Sequence, residues 1–180
     1  MEIQERSTSI KFGKYPQTAN GGIKPIEWQV LAREENKMLL ISRYGLDCKI
    51  FDSSSNDWKN SEIRRWTNND FYNKAFDDKE KKCINPFDGD NVFLLSKDEA
   101  EKYFVNDEAR RCKATEYAVK NGAWVADSSY GSNAGYSWWW LCSSHYCNCV
   151  YYINNDGDSY YYDSVDFANY VFRPALWINR

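Results

Sequence analysis

The sequence predicts an α+β domain in which a small twisted antiparallel sheet carries short flanking helices and a loop-rich C-terminal half. Three observations point to this class. Residues 25–32 hold the alternating apolar set Ile26, Trp28, Val30 and Ala32, and residues 38–41 are continuously apolar, so the pair reads as a β-hairpin about the Glu34-Glu35-Asn36 turn. Segments after Ser61 and Ser96 begin with helix-capping residues. From residue 121 to 172 there is no Lys, Arg or Glu, the residues from which solvated helices are normally made.

Taken in order, Ile10-Lys11-Phe12 is a short strand before the Tyr15-Pro16 and Gly21-Gly22 turns. The hairpin follows, one strand half-exposed and the other buried. Residues 52–60 are polar and loop-like. Ser61 then caps a helix or broken helix over 61–76, with Glu62 where the helix dipole favours an anion and Ile63 and Trp66 on one face. Asn68-Asn69-Asp70 are weak helix formers inside it. Val92-Phe93-Leu94-Leu95 reads as a buried strand. Ser96 and Glu99 form a capping box for a helix through Tyr103-Phe104. Residues 115–119 add one or two helical turns, stopped by Asn121-Gly122. Beyond these, residues 138–141 and 150–153 read as strands, and Asn155-Asp156-Gly157-Asp158 is a turn into Tyr160-Tyr161-Tyr162. Residues 171–178 read as one closing strand, where Pro174 implies an edge or a bulge.

The chain has 180 residues, enough for one domain with a real core. Its 17% aromatic content excludes disorder as the main state. No apolar run reaches the length of a membrane span, and Met1-Glu2-Ile3-Gln4-Glu5-Arg6 lacks the pattern of a secretory signal. The net charge of -3 argues against nonspecific nucleic-acid binding. All of it arises after residue 120, where Arg173 and Arg180 face Asp127, Asp156, Asp158, Asp163 and Asp166. The six cysteines are expected to be mainly free thiols, because the chain is long enough to build its own core.

The 44 residues from 127 to 170 include 9 Tyr, 8 Ser, 5 Asn and 5 Asp, the composition of an antibody-type binding surface. A sheet merely covered by tyrosines has the same composition. Five ordered motifs bear on the choice. Val171-Phe172-Arg173-Pro174-Ala175-Leu176-Trp177-Ile178 resembles a G-V-R-P-A-L-W ending, and Trp139-Trp140-Leu141-Cys142-Ser143 resembles W-W-L-R-S. Trp28-Gln29-Val30-Leu31 resembles W-x-V-L, Ser61-Glu62-Ile63-Arg64-Arg65-Trp66 resembles S-x-L-R-x-W, and Val92-Phe93-Leu94-Leu95-Ser96 resembles V-F-L-L-S. The ordered set, spanning nearly the whole chain, is similar to a bacterial and phage family of C-type lectin fold, related in fold to formylglycine-generating enzymes. It departs from that family at Cys142, where the motif has Arg, and at Val171 or Phe172, where the ending has Gly.

Many members of that family are variable proteins of diversity-generating retroelements, in which adenine-directed mutagenesis rewrites codons near the C-terminus. The resemblance implies a single C-type lectin-like domain over 1–180. Its framework would cover about 10–135 and 171–179, and a variable ligand-binding region 136–172. It implies binding of a variable protein or surface ligand without catalysis. The expected binding residues are Tyr136, Trp138, Ser144, His145, Tyr146, Cys147, Asn148, Cys149, Tyr160, Tyr162, Asp163, Phe167, Asn169 and Tyr170, with the aromatic members supplying most of the energy. No cofactor, nucleic acid or membrane insertion is expected, and the chain would be cytoplasmic or displayed on a virion or cell surface through a partner.

Alternatives attach to specific residues. Cys142 and Cys147, with Cys149 and His145 nearby, offer soft ligands for an oxidase-like copper site, as formylglycine-generating enzymes use a cysteine pair. Usual zinc spacing is absent. Asn154, Asn155, Asp156 and Asp158 offer oxygens for calcium, although a turn explains them equally well. A fixed-specificity structural module of a phage or cell-surface assembly is a further reading. Arg173 is expected to pair with a buried carboxylate, and Trp139, Trp140 and Trp177 to be core, with Trp138 turned the other way. No Ser/His/Asp triad, phosphate-binding glycine loop or carboxylate pair stands out, and His145 is the only histidine.

Overall fold

A computed structural model describes residues 9–146 and 148–180; Cys147 and the opening hexapeptide lie outside the described residues. Strand β1 (Ser9–Pro16) pairs antiparallel with β2 (Ile23–Arg33), and β2 with β3 (Lys37–Ser42), as the hairpin pattern requires. β1 outruns the short strand expected, and its register shifts between Lys11 and Lys14. Gly13 lies at that bulge with φ +68°, where a Cβ would come within 2.5 Å of the Phe76 ring. The chain then forms β4 (Tyr44–Gly45) and β5 (Asp47–Cys48) before the polar loop.

The helical run after Ser61 is broken in the way its sequence suggests. α1 (Glu62–Trp66) is capped by the Ser61 hydroxyl, which accepts from Arg64 N at 3.2 Å. A π-turn follows over Thr67–Phe71, then α2 (Tyr72–Ala75). Asn68 sits in the wide turn and ties it to the next segment. Its Nδ2 donates to Val92 O at 3.0 Å, and its Oδ1 accepts from Asn91 N at 2.9 Å. α3 (Asp78–Cys83), not among the expected helices, begins at an Asp77/Glu80 capping box and leads into β6 (Ile84–Asn85).

Residues 92–95 are buried but do not form the expected strand. Phe93 alone makes a bridge, to Ala175, because Val92 N and Leu95 O are bonded instead to the Asn68 side chain and Cys142 N. α4 (Lys97–Tyr103) begins at the expected Ser96/Glu99 capping box. It is followed by α5 (Asp107–Arg110), β7 (Lys113–Ala114) and α6 (Glu116–Lys120). After residue 121 the only helical stretch described is the 3-10 segment Ser128–Asn133. Four strands and a closing one follow: β8 (Trp139–His145), β9 (Cys149–Ile153), β10 (Ser159–Tyr160), β11 (Val171–Phe172) and β12 (Ala175–Asn179).

The fold is α+β, but its sheet is larger than expected. One five-stranded antiparallel sheet runs β1-β2-β3-β12-β6, and a second runs β10-β9-β8-β11-β5. The second is not wholly antiparallel, since β11 lies parallel to β8. The C-terminal run is therefore two strands in two sheets, not one. The break falls at Pro174, which has no N–H for either ladder, while its carbonyl accepts from Ser42 N at 2.9 Å. β12 is an interior strand between β3 and β6, so Pro174 marks a crossing and not an edge.

The continuous apolar runs follow from burial on both faces. Leu40, Trp140, Phe172 and Leu176 enter one core cluster, while their neighbours Leu39, Trp139, Val171 and Trp177 enter another. The three core tryptophans are thus placed as expected. Arg173 is buried but has no ion pair among the described residues, contrary to expectation. Its Nε donates to Ser42 O at 3.0 Å and its Nη1 to Arg110 O at 2.9 Å, and the guanidinium lies 4.8 Å from the Trp139 ring. Carbonyl dipoles and a ring face stand where a carboxylate was predicted.

Candidate functional site

An aromatic chain runs across β8, β9 and β10 and the segments that flank them, each member contacting the next. It starts at Tyr130, 5.3 Å from Trp124, which stacks on Trp138 at 4.0 Å and 19°. Trp138 meets Tyr170 at 5.5 Å, and Tyr170 meets Tyr152 at 4.9 Å. Tyr152 stacks with Tyr160 at 6.1 Å, and Tyr160 lies 6.5 Å from Tyr162. Tyr162 touches Tyr161 at 4.5 Å; Tyr161 stacks on His145 at 3.8 Å; His145 meets Tyr146 edge-on at 5.2 Å. Such offset and edge-on pairs hold large rings in place beyond simple area burial.

Exposure divides the chain into anchor and surface. Tyr146 is 84% exposed and Tyr162 70%, while Tyr170 is fully buried. Tyr170 is therefore a support and not a contact residue: it stacks on Trp140 at 3.9 Å, and its hydroxyl donates to the Asp163 carboxylate. Asp163 is half-buried and spent on that bond, so its expected role is also displaced inward. Burial first, then the Asp163 bond, drives the Tyr170 hydroxyl far above its ordinary pKa, so it stays a donor at physiological pH.

The other expected residues fall into three places. Ser144, His145, Tyr146, Asn148 and Cys149 lie on β8, its turn and β9. The framework loop clamps that turn. Asn56 Nδ2 donates to His145 O at 2.7 Å and Cys149 O at 3.2 Å, and Asn148 Nδ2 donates to Ser54 O at 3.0 Å. Asn148 adopts φ +58°, a conformation Asn tolerates better than most residues. Trp138, Tyr160 and Tyr162 belong to the aromatic chain. Phe167 is exposed nearby in sequence to half-buried Asn169, whose Oδ1 is buried with no partner among the described residues. Tyr136 stands apart from these rings, with Arg111 at 4.6 Å and Lys113 at 5.3 Å from its centroid.

Tyr151, Tyr161, Trp124 and Tyr130 were missed. Alternation about buried Val150 and Tyr152 turns Tyr151 to the side of His145, 5.2 Å away, a pattern visible in the sequence once β9 is placed. Trp124 precedes the segment of unusual composition, and Tyr130, inside it, lies ahead of the expected binding region 136–172.

The oxygens proposed for calcium close a turn. Asn155 Oδ1 accepts from Trp138 Nε1 at 3.2 Å, Asp156 Oδ1 from Asp158 N at 3.0 Å, and Asp158 Oδ1 from Ser159 N at 2.7 Å. Among the described residues no group of three His, Cys, Asp or Glu side chains is placed to hold a metal ion. Cys48, Cys83, Cys112 and Cys142 are free thiols. Burial pushes the Cys142 thiol up to about 12, with Glu99 adding to the rise, which disfavours a thiolate ligand there. No described helix is long and apolar enough to cross a membrane.

A family model described as Domain of unknown function (DUF6273) matches residues 35–88 and 89–180. No curated protein and no solved structure matches the chain.

Proposed function

We propose that this chain, which belongs to the domain family DUF6273, is a ligand-binding protein of C-type lectin fold whose aromatic C-terminal surface recognises a protein or other macromolecular target. The observation that carries the reading is the graded aromatic chain. Tyr170 and Tyr152, in its middle, are packed in the core cluster, and Tyr162 and Tyr146 further along it project to the surface. Rings held by neighbours lose little freedom on binding, so their contact area converts well to affinity. The clamped β8–β9 turn supplies the rigid support that a binding loop needs.

The five ordered motifs support placing the chain among the variable proteins of diversity-generating retroelements, with residues 136–172 rewritten between two framework strands. The gene neighbourhood tests this directly. A near-repeat of the codons for residues 136–178 beside a reverse transcriptase, differing only at template adenines, is the expected result. Absence of both overturns diversification and leaves a lectin-like module of fixed specificity. Binding is tested by selecting targets from a displayed library with the full chain, then repeating with Tyr146→Ala and Tyr162→Ala together. Loss of capture with an unchanged melting temperature is expected; undiminished capture overturns the assigned surface.

A further inference from the structure

Arg173 lines a cleft of about 300 Å³ with Arg43, Arg111, Lys113, Tyr44 and Tyr136. None of the four cations belongs to the aromatic chain. Two are already paired near the rim: Arg43 lies 3.8 Å from Glu27, and Arg111 pairs with Glu108. Arg173 and Lys113 have no ion pair among the described residues. The Arg173 side chain is the deep one. Nε and Nη1 are held by the Ser42 and Arg110 carbonyls, whereas Nη2 donates to none of the described residues.

A buried guanidinium without a counter-charge is costly, and burial accordingly pulls the Arg173 pKa below its ordinary value. The neighbouring Cys112 thiol does not supply the charge, because burial raises its pKa. An oxyanion entering the cleft would. Arg111 and Lys113 are poised over the Tyr136 ring, one at each contact, which holds both near the cleft without consuming the Lys113 charge.

We propose that this cleft is a binding site for a phosphate group, with Arg173 as its deep ligand and Lys113 and Arg43 at its mouth. Of the four cations lining the cleft, Arg173 and Lys113 have no ion pair among the described residues; two such charges suit a dianion better than a single carboxylate, and Arg173 Nη2 is the donor left to meet it. The volume leaves room for a small organic substituent, with the Tyr44 and Tyr136 rings beside it.

The test is calorimetric titration of the full chain with inorganic phosphate, against sodium chloride of equal ionic strength and against acetate. One site with a Kd of about 1 mM or tighter is expected, with acetate weaker by about tenfold or more. Arg43→Gln with Lys113→Gln leaves the basal melting temperature unchanged and weakens phosphate by about tenfold or more. Arg173→Lys abolishes saturable binding; if that variant fails to fold, the surface double variant decides. Phosphate no better than chloride, acetate equal to phosphate, or a double variant that binds as tightly as the parent would each overturn the proposal.

Discussion

Gly157 packs against Asp107 so closely that a Cβ on the glycine would lie 1.8 Å from the Asp107 carbonyl oxygen. The contact docks the β9–β10 turn on helix α5. The Gly157 carbonyl then accepts from Arg110 Nε at 2.8 Å, and the Arg110 carbonyl receives both Trp139 Nε1 at 3.1 Å and Arg173 Nη1. One short helix thereby registers the C-terminal half on the framework.

Gly157→Ala should be severely destabilising. The residue has φ +93°, so alanine meets backbone strain as well as the Asp107 clash. A loss of at least about 2 kcal/mol is expected in denaturant melts, since strain and overpacking each cost 1–3 kcal/mol.

The exposed and buried members of the aromatic chain should separate in stability. Tyr146→Ala and Tyr162→Ala should each stay within about 0.5 kcal/mol of the parent, as surface changes do. Tyr170→Ala, fully buried and stacked on Trp140, should cost about 3–5 kcal/mol. Equal effects at the buried and exposed members would remove the distinction between support and contact.

Acid should expose the Asp52 anchor. Burial tends to raise its pKa, but N–H donation from Ser54, Glu62 and Ser55 outweighs it and holds the carboxyl below its ordinary value. A depressed folded pKa contributes stability above the unfolded value of about 3.9, and that contribution is lost as pH falls through the folded pKa. Asp52→Asn should flatten the acid limb of a stability–pH curve below about pH 4. An identical limb in the variant would show that these bonds carry no linkage.

Thiol reactivity should follow burial. Cys83 is exposed, whereas Cys142 is pushed up to about 12. Iodoacetamide at pH 8 should modify Cys83 first, with Cys142 slower by about a hundredfold or more, read by mass spectrometry of the labelled peptides. Cys142→Ser should leave the Cys83 rate unchanged.

Helix caps offer a local check. Ser96→Ala removes the acceptor for Glu99 N and should cost about 1 kcal/mol. Asp77→Ala, at the other capping box, should cost a similar amount, measured by thermal melts.

The elements legible in the sequence are those whose cause is local. Ser61, Ser96 and Thr115 cap helices through bonds to residues three positions on, so a short window contains the whole argument. The Asp77/Glu80 box has the same local signature. The hairpin of β2 and β3 was legible from apolar spacing, and the absence of Lys, Arg and Glu from residue 121 to 172 marked the loop-rich half. At the candidate site, composition located the aromatic segment, and the resemblance implied His145, Tyr146, Tyr160 and Tyr162 within it.

Tertiary structure decided the rest, because the deciding partners are distant in sequence. Tyr162 and Tyr170 share a residue type and a segment, yet only Tyr170 meets Trp140 and Asp163 from inside the core. Residues 92–95 look like a strand, but Asn68 and Cys142 take their backbone groups. Residues 171–178 look like one strand, but β3 and β5 recruit its halves to different sheets, and Pro174 has no N–H to oppose the break. Arg173 was legible as a buried cation. That it is held by the carbonyls of Ser42 and Arg110, with a face left toward a basic cleft, follows only from bringing chain segments 63 and 131 residues away to one point.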